Sequence, residues 1–316
     1  LGDINIPAAW DAPPLRLPGK QYPVVIFSHG LGGCRTSYTT FCLELASQGY
    51  VVAALEHRDY SACMSFFYER QSSATDKNLT DHSSCQEKLV KRWMLFRKVK
   101  QGKGEYSIRN QQVHHRAKEC SLALNILSAI NAAEPVANVL DTSKLPLESF
   151  KGMLNLGKVS VAGHSFGGAT VIATMATDKR FKAGLGLDTW MLPFTEETSI
   201  FRKVQQPMLF INMEKFQTRA NLKVMKMMES TKSLRVIITL KGTVHLNQCD
   251  VPFLCDKTMR RLFGAHSNLN RFTAMNLTTA LSNVFLSKQL GIHVDVKHDA
   301  YILNHRHVLK EGINVA

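Results

Sequence analysis

Val159-Ser160-Val161-Ala162-Gly163-His164-Ser165-Phe166-Gly167-Gly168-Ala169-Thr170-Val171-Ile172 reads as an apolar strand, a sharp turn and a helix of small residues, with a serine at the apex of the turn. A serine hydroxyl is a poor nucleophile until the chain holds it proud of a sheet, beside a base and beside donors for an oxyanion. Glycines on either side of Ser165 permit a strained turn and let the helix pack close to the strand, while His164 and Phe166 fill the variable positions of a G-x-S-x-G motif. The small-residue segment continues to Ala176, as a tightly packed helix requires.

The partners of such a serine can be sought by chain order, because in the fold that carries this turn an acid and then a histidine follow the nucleophile. Among the histidines after Ser165, only His245 closes a strand-patterned run, Leu234 to His245, with Gly242 supplying a bend just before it. His266, His293, His298, His305 and His307 lie in polar or helix-patterned segments. Two acids stand at strand ends, Asp188 after 182–187 and Glu214 after 207–213. The later strand favours Glu214, whereas Thr189-Trp190-Met191-Leu192-Pro193 after Asp188 reads as the wall of an apolar pocket; spacing leaves both open. Upstream, the strand-like Tyr22-Pro23-Val24-Val25-Ile26-Phe27 runs into Ser28-His29-Gly30-Leu31-Gly32-Gly33. Glycines in an H-G-G-type loop expose backbone N–H groups, so those of Leu31 and Phe166 are the expected oxyanion donors.

Strand-like runs at Val24, Val51, Val159, Ala183, Met208 and Val236 alternate with helix-patterned segments over 37–48, 110–130 and 269–289. That alternation predicts an α/β-hydrolase fold, a mostly parallel sheet with helices on both faces. At 316 residues and 45% hydrophobic, the chain can bury one large core, and no linker-like stretch divides it, so 1–316 is expected to be a single domain. A continuous apolar run of about 18 residues is absent, and no transmembrane span is expected.

These residues resemble the platelet-activating factor acetylhydrolases, also called lipoprotein-associated or group VII phospholipases A2, over about Ile6 to Gly291. The resemblance rests on ordered blocks: IPAAW at Ile6, YPVVIFSHGLGG at Tyr22, LASQGYVVAALEHRD at Leu45, IRNQQVHHRAKEC at Ile108, GHSFGGATVI at Gly163, LDTWMLP at Leu187, FINMEKFQ at Phe210 and GTVH at Gly242. It implies Ser165 as nucleophile, Asp188 as acid, His245 as base, Leu31 and Phe166 as oxyanion donors and Trp190 as the pocket aromatic. Glu214 is then left a conformational or salt-bridging role. The implied activity is calcium-independent serine esterase action on the sn-2 short or oxidised acyl chain of phospholipids like platelet-activating factor. Competing readings are a general carboxylesterase of the same fold and a catalytically silent lipid-binding protein. The chain departs from the family at Thr189, Leu192 and Leu246, where Ala, Phe and a polar residue are usual. The tail from Val294 is dissimilar, and the resemblance implies that the family's N-terminal segment is missing ahead of Leu1. Its members are both secreted and cytosolic, which leaves the compartment open.

A formal charge of +14 calls for a partner. Lys88, Lys91, Arg92, Arg97, Lys98, Lys100 and Lys103 interleave with Trp93, Met94, Leu95, Phe96 and Val99, a pattern suited to anionic lipid headgroups. Val251 to Phe263 is a second such stretch; in both, the competing reading is a surface helix or loop with its apolar side in the core. Peripheral contact with a membrane or lipoprotein surface is therefore expected, with no obligate protein partner indicated. Nucleic acid is the poorer explanation of the charge because no nucleic-acid motif accompanies it. Neither a metalloprotease helix, a nucleotide loop nor a calcium loop is present, so no cofactor or metal is expected. Glu56-His57-Arg58-Asp59 precedes the nucleophile and is read as a buried polar network bracing the sheet edge. The seven cysteines form no disulfide framework or zinc motif, although Cys63 and Cys85 could pair in an oxidising compartment. Asn78 and Asn276 open N-glycosylation sequons.

Overall fold

Val24-Val25-Ile26-Phe27 is apolar at every position because both faces of its strand are covered, with Val24 and Ile26 entering one core and Val25 and Phe27 the other. The computed structural model describes residues 6–71, 88–102, 104–138, 145–229, 232–293 and 295–312. Its strands are β1 (Tyr22–Ser28), β2 (Val51–Leu55), β3 (Met64–Gln71), β4 (Lys88–Leu95), β5 (Leu154–His164), β6 (Phe181–Leu187), β7 (Met208–Met213), β8 (Arg235–Leu240) and β9 (Leu309–Glu311). Seven of them form one sheet in the order β2-β1-β5-β6-β7-β8-β9, parallel throughout except that β9 runs antiparallel to β8.

The α-helices are α1 (Thr39–Ser47), α2 (Glu105–Ala132), α3 (Phe166–Thr177), α4 (Arg219–Lys226), α5 (Val251–Leu254), α6 (Lys257–Leu262), α7 (Arg271–Leu290) and α8 (Val296–Asn304). One face of the sheet is covered by α2 and α3 through Val113, Leu124, Phe166 and Ile172, the other by α1 and α7 through Phe41, Leu45, Leu277 and Leu286. Local signals set the ends of α7: the Asn270 side chain accepts from the Phe272 N–H at its start, and Gly291 ends it in the left-handed region. The six strand-like runs read from the sequence all become strands of the large sheet, and the fold is that of the α/β-hydrolases.

The basic and apolar stretch is strand over 88–95 and loop over 96–102. Residues 88–95 pair antiparallel with β3 as a two-stranded ribbon, in register Phe66↔Trp93 and Tyr68↔Lys91. Side chains alternate across a strand, so Leu89, Lys91, Trp93 and Leu95 share one face and Met94, on the other, is buried. In the second stretch, Leu254, Met259, Leu262 and Phe263 are likewise exposed and do not enter the core. Cys63 is an exposed free thiol, while Cys85 and Asn78 lie outside the described residues. Asn276 falls within α7, with Thr278 buried and its hydroxyl donating to the Ala274 carbonyl.

Candidate active site

In a parallel sheet, functional groups collect beyond the carboxyl ends of the strands. Here Ser165 follows β5, Asp188 follows β6, His245 follows the loop after β8, and the glycine-rich loop 29–33 follows β1. Two of the four points are strained. Ser165 has φ 57° and ψ −115°, and Asp188 has φ 46°, positions that cost roughly 1–3 kcal/mol each for side-chain-bearing residues. The turn at Ser165 closes so tightly that a Cβ on Gly163 would collide with the Gly167 backbone, and one on Gly167 with the Ser28 carbonyl. Those contacts are the physical reason for both glycines of the motif.

Of the two acids left open by spacing, Asp188 is the one that bonds His245. His245 Nδ1–H donates to Asp188 Oδ2 at 2.6 Å, while Asp188 Oδ1 accepts from the Met213 N–H at 2.9 Å and Gln217 Nε2 at 2.6 Å. Burial pushes the Asp188 carboxyl up from its ordinary value, and the His245, Met213 and Gln217 donors oppose that shift. Glu214 instead accepts from the Gly242 N–H at 2.8 Å, pinning the bend that delivers His245. Phe216 stacks on the imidazole with ring centroids 3.7 Å apart. Ser165 Oγ and His245 Nε2 have no hydrogen-bond partner among the described residues.

Around the expected oxyanion site the N–H groups of Gly30, Gly32 and Gly33 are taken by Tyr38 Oη at 3.0 Å, the Ser61 carbonyl at 2.7 Å and the Gly30 carbonyl at 3.1 Å. The Leu31 N–H between them has no such partner among the described residues, and that of Phe166 opens α3, where a helix leaves its N–H groups unpaired. The loop packs against the serine, since a Cβ on Gly30 would stand 3.3 Å from Ser165 Cβ. Trp190 lies edge-on to Phe166 at 5.9 Å. With Phe216, Met191, Leu192 and Val224 it lines a largely apolar cavity of about 250 Å³.

Sequence reading missed Phe216 and Gln217, although both lie in the FINMEKFQ block, and missed Tyr38 and the role of His164. The His245 carbonyl can only accept, so His164 Nε2–H donates to it at 3.2 Å, and Nδ1 of the neutral ring accepts at 2.9 Å from Tyr38 Oη, which itself accepts from the Gly30 N–H. Burial holds His164 well below the usual histidine range, in keeping with that neutral tautomer. Ligand-type atoms of His164, Asp188 and His245 gather within 4.8 Å, but both His164 nitrogens are engaged, so the trio is not free to grip a metal ion. The Glu56–Asp59 segment forms the buried network read from the sequence: His57 bonds Ser28 Oγ at 2.8 Å and Glu119 at 2.7 Å, and Asp59 pairs with Arg116 at 3.0 Å.

Strained serine, oriented histidine, buried carboxylate and glycine-rich loop on this sheet define a hydrolase of the α/β class with the layout of a serine esterase. The chain belongs to the platelet-activating factor acetylhydrolase, isoform II family, whose sequence model matches residues 1–305. It is 39% identical over 316 residues to the platelet-activating factor acetylhydrolase of Canis lupus familiaris, covering 100% of this chain and 67% of that protein. The Bos taurus protein of the same name matches with the same identity and coverage. Among solved structures, the ferulic acid esterase from Streptomyces cinnamoneus aligns with a TM-score of 0.63 and 19% identity over 94% of this chain and 75% of that one.

Proposed function

We propose that the chain hydrolyses the sn-2 short or oxidised acyl ester of phospholipids like platelet-activating factor, releasing a lyso-phospholipid and a carboxylate. Family membership supports the reaction, and the 2.6 Å bond between His245 and Asp188 beside the strained Ser165 carries the assignment of roles. Ser165 Oγ attacks the ester carbonyl while His245 Nε2 takes its proton. The tetrahedral oxyanion accepts from the Leu31 and Phe166 N–H groups, each donor worth roughly 3 kcal/mol in comparable enzymes. Collapse expels the lyso-phospholipid alkoxide, which receives the proton from His245; a water activated by the same imidazole then releases the carboxylate. Asp188 holds the imidazole tautomer, and Trp190 walls the acyl pocket. Backbone donors fill the role that a metal ion has in calcium-dependent phospholipases, so the mechanism is calcium-independent.

Labelling with a fluorophosphonate tests the nucleophile: wild type labels and turns over ester, and Ser165→Ala does neither while unfolding at the same temperature. Labelling of the variant at the wild-type rate would overturn the assignment. A general carboxylesterase would turn over simple aryl esters faster than platelet-activating factor, the reverse of the expected order.

Substrate of this class resides in lipid surfaces, and we further propose that the ribbon β3–β4 docks there. Its shared face exposes Met64, Leu89, Trp93 and Leu95, with Lys91 Nζ seated 3.8 Å from the Phe66 ring centroid and 4.1 Å from that of Trp93. Arg92, on the other face, is already paired with Glu69 at 2.8 Å. Lys91→Gln with Trp93→Ser is expected to weaken binding to anionic vesicles, the lost charge accounting for about 1 kcal/mol at low salt. Arg92→Gln is expected to have less effect, and turnover of a soluble ester to be unchanged in both. Equal vesicle binding by all three proteins would remove the ribbon from the interface.

A further inference from the structure

We propose that Arg116 is a positioning residue for the oxyanion site, holding the loop that carries the Leu31 N–H and the turn that carries the Phe166 N–H in one register. The inference rests on the serine-esterase reading above. Arg116 is fully buried on α2. Its Nη1 donates to the His29 carbonyl at 2.6 Å, just before Gly30 and Leu31. Its Nη2 and Nε donate to Ser61 Oγ at 2.6 and 2.9 Å, and the Ser61 carbonyl in turn accepts the Gly32 N–H at 2.7 Å. Leu31 is therefore clamped on both sides, at His29 directly and at Gly32 through Ser61. The guanidinium carbon also lies 4.5 Å from the centroid of the Phe166 ring, so one cation touches both halves of the site.

Asp59 balances the charge, with Oδ2 3.0 Å from Arg116 Nε. A buried ion pair is weak evidence for stability, since well-packed apolar residues of similar volume often serve as well or better. What an apolar pair could not do is hold the His29 carbonyl and fix Ser61. Lysine could keep the charge but lacks the planar fork that reaches His29, Ser61 and Asp59 at once.

The test uses Arg116→Lys together with the double variant Arg116→Met/Asp59→Asn, in which no buried ion is left without a partner. Active sites are titrated with a fluorophosphonate, so that kcat and KM for p-nitrophenyl acetate refer to folded, competent enzyme. A trifluoromethyl ketone, whose adduct with Ser165 bears an oxyanion, reports on that site separately. Expected is a fall in kcat per titrated site of about 10²–10³-fold, the scale of one lost oxyanion donor, with KM within about threefold and a matching rise in the ketone Ki. The pH dependence of kcat should keep its wild-type midpoint, because His245 and Asp188 are untouched. Wild-type kcat per titrated site in either variant overturns the proposal, even where melting temperature or active fraction falls, because Arg116 would then be a structural residue alone. Failure of the esterase reading is visible separately, as absent labelling of the wild type or persistent activity in Ser165→Ala.

Discussion

Replacing Asp188 by asparagine changes one atom and, on this geometry, moves one proton. Oδ1 is fixed by two donors, the Met213 N–H at 2.9 Å and Gln217 Nε2 at 2.6 Å, so an asparagine must keep its oxygen there. Its NH₂ group then occupies the place of Oδ2, 2.6 Å from His245 Nδ1, and being a donor it requires Nδ1 to accept. The imidazole proton shifts to Nε2, the nitrogen that must take the proton of Ser165. An imidazole so protonated is no base, and the expected fall in kcat is roughly 10⁴-fold, equivalent to about 5.5 kcal/mol at 1.36 kcal/mol per tenfold. Glu214→Gln keeps an oxygen for the Gly242 N–H and is expected to cost less than about tenfold, because it acts on the base only through the loop.

Stability should move the other way. Burial raises the folded-state pKa of Asp188 above its unfolded value. The stability linked to this group is thus complete below the unfolded pKa and lost as pH rises through the folded one. At neutral pH the ionised carboxylate costs stability that a neutral asparagine does not. The expected result is a melting temperature for Asp188→Asn at or above wild type at pH 7, with the difference shrinking on acidification. Soluble-ester kinetics and thermal melts between pH 4 and 8 measure both effects. A loss of activity under tenfold, or a larger loss in Glu214→Gln, would refute the reasoning and move the acid to the later strand.

Tyr38→Phe removes the acceptor of the Gly30 N–H and the donor to His164 Nδ1, both buried; each group left unpaired costs about 1–3 kcal/mol, and a lowered melting temperature with a fall in kcat should register it. Thr189 Oγ1 is buried with no hydrogen-bond partner among the described residues, so the isosteric Thr189→Val should stabilise the fold by about 1 kcal/mol with esterase activity retained, as denaturant unfolding would show. A lower midpoint for that variant would mean that the hydroxyl has a partner, such as a buried water.

The strands were legible because a parallel sheet covered on both faces demands near-continuous apolar runs: 24–27 and 208–211 are unbroken, and 159–162 is broken only by Ser160. Ser165 and the loop 29–33 were legible for a different reason: each needs several glycines within a few residues, so the demand is written as a motif even where the contact it relieves, as of Gly167 with Ser28, is distant. The choice between Asp188 and Glu214 was not local. Both end strands, and the bond from His245 goes to Asp188 after the more distant β6, across 57 residues of chain, and not to Glu214 after the adjacent β7. Phe216, Gln217, Tyr38 and Arg116 act across 29, 29, 126 and 87 residues of chain toward His245, Asp188, His164 and His29, and no period or motif records such pairings. The form of the ribbon was not legible, because basic and apolar residues interleave in 88–95 without a clear period of two or of 3.6.

The periodicity of α2 carries one further signal that becomes readable once the fold is known. Arg109, Gln112, Arg116 and Glu119 recur at helical spacing, the first three buried, and so run a polar stripe along a face that also presents Val113, Ala117 and Cys120 to the core. Gln112 Nε2 donates to the Asp59 carbonyl at 2.7 Å, Arg116 pairs with Asp59, and Glu119 accepts from His57 and from the Arg58 N–H. The stripe thus holds the segment after β2, whose Ser61 holds Gly32 beside Leu31. A helix built for stability alone would bury apolar side chains there, since burying polar groups gains little net free energy even when they are fully paired. Oxyanion donors act without reorganisation only if they are already in place when the charge develops, which requires a rigid loop. A loop of glycines has little rigidity of its own, so the network beneath it must provide what its sequence lacks.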